Sequence, residues 1–219
     1  VLSSGAMMGL AHDGDADRVV AVDEKGNFLD GDMLLPIIAK REAKKSLVVP
    51  VDASMAIDEY MAWTQVHRCR VGDVHVAEAI KKHDADFGGE PSGTFIFPRE
   101  TYCPDGIFAA ARLVALASET KLSELADAVP KYPILKERIP YDVSKRRETE
   151  GKILSALERL KPAELQTLDG ARAVFAEGWM LVRPSGTEPK VKIVVEGRTD
   201  QAAKELFRLA KEAVMGALS

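Results

Sequence analysis

Short apolar segments of two kinds alternate through the middle of the chain, residues 30–118. Strand-like runs such as residues 46–51 are separated by longer segments whose apolar residues recur at helical spacing. Parallel strands need crossover connections of a dozen or more residues, and helices usually supply them. The alternation therefore predicts an α/β fold with a mostly parallel sheet.

The pattern predicts elements one by one. They are a helix over 33–44, a strand over 46–51, a helix over 55–63, a strand over 66–71, a helix over 74–83, a short strand ending at 88, an extended segment over 94–97 and a helix over 105–118. Pro130 and Pro133 cannot continue a helix, and the pattern changes after them, so we place a domain boundary there.

Beyond this boundary strands outnumber helices. The expected elements are a strand over 135–139, a helix over 144–160, strands over 171–176, 179–182 and 191–196, and a terminal helix. Only one tight loop separates the last two strands, which predicts an antiparallel hairpin.

Composition excludes several classes of protein. A chain of 219 residues can bury a sizeable core without a disulfide or a structural metal. The formal net charge of −4 argues against a surface for nucleic acid or anionic membranes, and no long apolar run predicts a membrane span. Cys69 and Cys103 lie in no metal-ligand spacing. The cytoplasm is the expected compartment.

Three acidic residues follow the first apolar run. Asp13, Asp15 and Asp17 occupy alternate positions between two strand-like segments, and Arg18 comes next. Carboxylates crowded in this way repel one another unless a cation lies between them. Mg²⁺ is the first candidate, because it binds a few carboxylates and leaves its other positions to water or phosphate oxygens.

Two other interpretations of this acidic loop stay open on the residues alone. In an EF-hand calcium loop, the three aspartates would take positions 1, 3 and 5 and Glu24 position 12. Against it, Arg18 stands where that loop needs glycine, and residues 19–22 read as a strand. The third interpretation is an acidic surface turn that binds no ion.

A glycine-rich loop, residues 88–93, is predicted at the carboxyl side of the parallel sheet, where ligands of α/β domains tend to bind. Glu90 and Ser92 in this loop are expected to point the same way. A carboxylate that accepts from two hydroxyls, next to a serine hydroxyl, suits the neighbouring hydroxyls of a sugar. The alternative is a plain turn with a solvated Glu90.

A second polar loop lies in the predicted hairpin. Arg183 can grip two phosphate oxygens, Ser185 and Thr187 can donate hydroxyl protons, and Gly186 lets backbone N–H groups turn toward an anion. These residues favour a phosphate-binding loop. The alternative is an ordinary hairpin loop with an exposed arginine.

With these three loops in order, the chain resembles the carboxyl-terminal half of the α-D-phosphohexomutase family, which includes phosphoglucomutases, phosphomannomutases and phosphoglucosamine mutases. The resemblance rests on the acidic loop, the Gly-Glu-x-Ser-Gly loop and the Arg-x-Ser-Gly-Thr loop, and it spans nearly all residues. It implies that residues 1–26 are the tail of domain 2. Residues 27–131 would be domain 3, a three-layer α/β domain with a mixed, mostly parallel sheet, and residues 132–219 a smaller α+β domain 4 that closes over substrate.

The resemblance also implies an activity, the transfer of a phosphoryl group between C1 and C6 of a hexose phosphate through a phosphoserine and a hexose 1,6-bisphosphate. Asp13, Asp15 and Asp17 would hold Mg²⁺, and Arg18 would support the reacting phosphoryl group. The residues that would hold the substrate are Glu90 and Ser92 for the sugar, and Arg183, Ser185, Gly186 and Thr187 for the phosphate that does not react. The expected partners are these phosphosugars and the missing N-terminal domains, with no nucleic acid and no membrane.

The sequence departs from the family pattern in two ways. The Ser-His-Asn-Pro loop that carries the phosphoserine does not occur, so we expect the 219-residue chain alone to be inactive. Thr94 and Asp73 stand where several family members carry histidine. A different class of protein, a non-catalytic module that binds phosphosugars or regulates another protein, would also account for the missing serine.

Overall fold

The computed structural model describes residues 1–185 and 188–218. The chain separates into two compact units, Val1–Lys131 and Tyr132–Ser219, which are described one at a time. The assignment of residues 1–26 to the end of a further domain stays a prediction. None of the helices in the described ranges is both long and apolar enough to cross a lipid bilayer.

The first unit begins with a small antiparallel sheet. Its strands are β1 (Met8–His12), β2 (Val19–Asp23) and β3 (Phe28–Leu29), in the order β1-β2-β3. The β1–β2 register pairs His12 with Val19, so residues 13–18 form the loop of a hairpin. The acidic loop is therefore fixed at both ends by paired strands.

The rest of this unit alternates helix and strand as predicted. Its elements are α1 (Gly31–Glu42), β4 (Ser46–Pro50), α2 (Ala56–Tyr60), β5 (Gln65–Cys69), α3 (Asp73–His83), β6 (Phe87–Gly89), β7 (Phe95–Ile96), α4 (Gly106–Glu119) and α5 (Leu122–Asp127). The sheet order is β5-β4-β6-β7, with β4 parallel to both β5 and β6 and with β7 antiparallel to β6. The expectation of an α/β domain with a mixed, mostly parallel sheet is confirmed.

Local sequence signals explain where the two longest helices of this unit begin. The Asp30 carboxylate accepts from the backbone N–H of Met33 (3.1 Å), and Asp105 accepts from Phe108 (2.7 Å). Such N-caps satisfy backbone donors that the first helical turn leaves free. Every residue of β4 is buried, which is typical of a central parallel strand covered on both faces.

The second unit is an antiparallel sheet with two helices. Its elements are β8 (Ile134–Pro140), a 3₁₀ turn (Val143–Lys145), α6 (Arg146–Arg159), β9 (Glu164–Gln166), β10 (Ala171–Phe175), β11 (Gly178–Pro184), β12 (Lys190–Gly197) and α7 (Asp200–Leu218). The sheet order is β8-β12-β11-β10-β9, and β11 and β12 form the predicted hairpin. Helices α6 and α7 bury apolar side chains in one core with this sheet, so the unit is α+β.

Candidate functional site

The acidic loop places its three aspartates around one point. Asp13, Asp15 and Asp17 each offer a carboxylate oxygen, and these oxygens lie within 4.8 Å of one another. Ala16 bends the loop with a left-handed φ of +58°, and its N–H donates to the Asp13 carbonyl (3.3 Å). Across the loop, His12 Nδ1 donates to the Arg18 carbonyl (2.8 Å). The sequence thus folds into a turn that gathers its acids.

The charges in this loop do not balance. Arg18 Nε lies 3.6 Å from Asp13 Oδ2 and 3.7 Å from Asp17 Oδ1, so one guanidinium faces a group of three carboxylates. Asp17 Oδ1 is buried and accepts no hydrogen bond from the described residues. Burial and then the charges of Asp15 and Asp13 raise the pKa of Asp17. A buried oxygen without a donor in an all-carboxylate set fits a hard divalent cation such as Mg²⁺.

The calcium-loop interpretation does not agree with the geometry. Glu24, its twelfth-position ligand, is not in the group of acids, because its carboxylate accepts from the hydroxyl (2.5 Å) and the N–H (3.3 Å) of Ser123. The residues after Arg18 form strand β2, whereas an EF-hand continues as a loop. Glu24 connects the first sheet to α5 instead.

The glycine-rich loop is a tight turn between β6 and β7. The N–H of Glu90 donates to the Thr94 carbonyl (2.8 Å), and the N–H of Gly93 donates to the Glu90 carbonyl (3.0 Å). Glu90 is only 8% exposed, and its Oε1 accepts from the backbone N–H of Gly72 (2.7 Å). Ser92 is exposed, with its hydroxyl 2.8 Å from that of Thr94. The alternative of a solvated Glu90 is wrong.

The acidic loop and the glycine-rich loop are hydrogen-bonded to each other. Val19 donates its N–H to the Gly93 carbonyl (3.0 Å), and Arg18 forms an antiparallel bridge with Thr94. Glycine is required for this approach, because a Cβ on Gly93 would lie 2.7 Å from the Val19 carbonyl oxygen. At the start of α4, a Cβ on Gly106 would lie 2.7 Å from the Arg18 carbonyl oxygen. The two loops are therefore in direct contact.

Two further acidic residues lie at the same edge of the sheet as Glu90. Asp52 follows β4 and Asp73 follows β5, so both lie at the sheet edge that carries Glu90. The pKa of Glu90 is raised, chiefly by burial and then by the negative charges of Asp52 and Asp73. The hydrogen bond from the Gly72 N–H and the charge of Arg18 act in the opposite direction. Sequence reasoning gave Asp52 no role, although its position directly after a buried parallel strand was a usable signal.

The second unit contains the described part of the other polar loop, since Gly186 and Thr187 lie outside the described residues. Arg183 Nη1 donates to Asp169 Oδ2 (2.9 Å), and the two side chains are only 19% and 12% exposed. Ser185 is buried, and its hydroxyl accepts from the N–H of Glu188 (3.3 Å). The exposed-arginine alternative is wrong. Sequence reasoning missed Asp169, whose carboxylate orients the guanidinium.

Comparison with known proteins identifies the family of the chain. Residues 30–132 match the model of the phosphoglucomutase/phosphomannomutase alpha/beta/alpha domain III, and residues 144–212 match the model of the C-terminal domain of the same proteins. The chain therefore belongs to the phosphoglucomutase/phosphomannomutase family of α-D-phosphohexomutases. It corresponds to the carboxyl-terminal half of these proteins.

A similar curated protein is the probable phosphoglucosamine mutase of Methanosarcina acetivorans, which is 48% identical over 100% of this chain and 50% of its own length. A Burkholderia thailandensis phosphoglucomutase/phosphomannomutase family protein has the same fold (TM-score 0.82, 24% identity, 97% of this chain and 47% of that one). An Aspergillus fumigatus N-acetylphosphoglucosamine mutase, solved with GlcNAc-6P and magnesium, also has this fold (TM-score 0.67, 19% identity). The match covers 96% of this chain and 49% of the Aspergillus chain. The chain spans about half the length of the relatives it matches.

Proposed function

We propose that the full-length protein is a Mg²⁺-dependent phosphohexose mutase that moves a phosphoryl group between C1 and C6 of a hexose phosphate. The observation that carries the proposal is the hydrogen bond from Val19 to Gly93, because it joins a candidate metal loop to a candidate sugar loop. Family membership and the mutase names of the relatives support an enzyme over a non-catalytic binding module.

Asp13, Asp15 and Asp17 are the residues that would hold the cation. When bound, Mg²⁺ supplies positive charge that stabilises a transferring phosphoryl group. Arg18 adds a guanidinium next to the same carboxylates, where it can bind phosphoryl oxygens. The magnesium in the Aspergillus relative supports this choice of ion.

Glu90 and Ser92 would bind the sugar hydroxyls that hexose phosphates share. Since the Gly72 N–H holds Glu90 Oε1, the carboxylate is oriented before a sugar arrives. Arg183, held by Asp169, would bind the phosphate that does not react, together with Ser185, Gly186 and Thr187. Binding at this distal phosphate serves to position the substrate, and positioning is a large part of catalysis in phosphoryl transfer.

The phosphoserine would come from a part of the protein outside these 219 residues. The length of the relatives supports this, because the chain covers only 50% of the Methanosarcina protein. The fragment alone, without its covalent phosphoryl carrier, is then inactive.

The test is a mutase assay of the full-length protein with the 1-phosphates and 6-phosphates of glucosamine, glucose and mannose. Glucosamine phosphate comes first, because the Methanosarcina relative is named a probable phosphoglucosamine mutase. We expect Mg²⁺-dependent interconversion that Asp15→Asn lowers at least a hundredfold, as expected for loss of a metal ligand at a reacting phosphate. The control is Asp127→Asn on α5, a carboxylate that is 66% exposed. Full activity in Asp15→Asn contradicts the metal assignment.

A further inference from the structure

Three acidic residues follow the parallel strands of the sheet in the first unit and lie at one edge of this sheet. Asp52 comes after β4, Asp73 after β5 and Glu90 after β6. Because β4 is parallel to both of its neighbours, the carboxyl ends of all three strands meet at this edge. A substrate held by Glu90 therefore meets two more acidic side chains.

Asp73 is placed between the two loops of the site. Its negative charge acts on Glu90 of the glycine-rich loop and also on Asp17 of the acidic loop. Asp73 is the first residue of α3 and directly follows Gly72, whose N–H holds the Glu90 carboxylate. The backbone at the start of α3 is therefore held next to the Glu90 carboxylate.

The Asp73 carboxylate is available to a ligand. It forms no hydrogen bond and no ion pair with any residue in the described ranges, and the residue is partly exposed. Asp73 lies in the first turn of α3, where the helix dipole favours negative charge. A negatively charged group without a partner, beside a buried glutamate, attracts a cationic part of a substrate more strongly than a hydroxyl.

We propose that Asp73 binds the ammonium group of an amino-sugar phosphate and gives the site its preference for hexosamine over hexose phosphates. This inference rests on the proposed function. Glu90 and Ser92 would meet hydroxyls that all hexose phosphates share, so they cannot discriminate at C2. An ammonium on Asp73 forms a charge-assisted hydrogen bond and offsets the repulsion among Asp52, Asp73 and Glu90, whereas a hydroxyl offers no charge.

The experiment uses the full-length protein and measures two ratios for glucosamine 6-phosphate over glucose 6-phosphate. One is the ratio of kcat/KM values, and the other is the ratio of association constants from calorimetry. We expect Asp73→Asn to lower both ratios roughly tenfold to a hundredfold, the usual range for a hydrogen bond to a charged group. Asp73→Glu keeps the charge and should restore most of the preference.

Asp84→Asn is the matched control. Asp84 is an exposed aspartate at the other end of α3, with a left-handed φ of +51° that asparagine also tolerates. The substitution Asp84→Asn removes one negative charge from the same helix, at the end away from the site. Both ratios should therefore stay unchanged. Thermal melting of all variants checks that the fold is retained.

Each outcome decides the matter. An unchanged ratio in Asp73→Asn, or a fall in kcat that is equal for both sugars, overturns the inference, because the second result indicates a role in proton transfer or metal binding. If the wild type interconverts hexose phosphates without preferring the amino sugar, only the inference fails. If the wild type neither interconverts nor binds any phosphosugar, the proposed function fails and the inference with it.

Discussion

Gly72 donates its backbone N–H to the Glu90 carboxylate at 2.7 Å, and it does so from a backbone conformation with φ at +126°. L-residues rarely adopt this conformation, so the hydrogen bond depends on glycine at a position 18 residues away from the side chain it holds. The side chain of Glu90, which follows β6, is therefore oriented by the backbone of Gly72, which follows β5.

The first prediction concerns this glycine. We expect Gly72→Ala to lower the free energy of unfolding by about 1–3 kcal/mol, the usual cost of a strained backbone. A Cβ there would lie no closer than 3.6 Å to a neighbouring atom, so conformation and not a clash causes the loss. Urea unfolding measures the change, and sugar-phosphate affinity should fall with it.

Gly151→Ala is the control for this substitution. Gly151 lies inside α6 with open space around it, so alanine should stabilise that helix by about 0.5–1 kcal/mol. Equal effects of the two substitutions contradict the backbone argument.

The second prediction concerns the pH dependence of stability at Glu90. Its pKa is raised in the folded protein, chiefly by burial, so the ionised form costs stability at pH values above that pKa. This cost disappears as the pH falls toward 4.5, the ordinary value for glutamate. We expect Glu90→Gln to be more stable than the wild type at pH 7, because the amide carries no charge that burial disfavours.

The advantage of Glu90→Gln should shrink between pH 7 and about pH 4.5 in unfolding curves. Glu158→Gln on the exposed surface of α6 is the control, with an effect within about 0.5 kcal/mol at either pH. A Glu90→Gln variant that is less stable at pH 7 than the wild type would show that the carboxylate stabilises the fold.

The third prediction concerns metal binding by the acidic loop. Mg²⁺ at about a hundred times its dissociation constant should stabilise the first unit by about 2.7 kcal/mol, because it binds the folded state alone. In Asp15→Asn this shift should largely vanish, while in Asp127→Asn it should remain. Thermal melting with and without chelator measures it, independently of any activity. A shift of the same size in all three proteins would place the ion elsewhere.

The fourth prediction concerns the second unit. Arg183→Lys should weaken binding of hexose phosphates to the full-length protein about tenfold or more, because lysine cannot replace a bidentate guanidinium. Asp169→Asn should weaken the binding of hexose phosphates less, since this substitution removes only the partner that orients Arg183. The control is Arg208→Lys, a half-exposed arginine on α7. Unchanged affinity in Arg183→Lys refutes the phosphate assignment.

Local signals made most of the fold predictable. Asp30 and Asp105 begin helices because a cap needs only residues within one turn. Strand β9 and helix α5 were missed, since three and six residues are too short for a hydrophobic period to show. The structure begins α6 at Arg146, because a 3₁₀ turn precedes it.

The candidate site was less accessible to sequence reasoning. The types of its residues pointed to metal, sugar and phosphate, but the contacts that organise them join distant parts of the chain. The contact between Val19 and Gly93 joins two different sheets, and the contact between Gly72 and Glu90 joins the ends of two strands of one sheet. Asp169 had no signal at all, because an acidic residue before a strand is ordinary in sequence.

The bond between Val19 and Gly93 is made by main-chain atoms only. The side chain of Pro91, in the same loop, can consequently be exchanged without removing the hydrogen bond that holds this loop against the acidic loop. A protein built in this way can vary the surface that the loop presents while its main chain stays attached, and an engineer can use the same freedom.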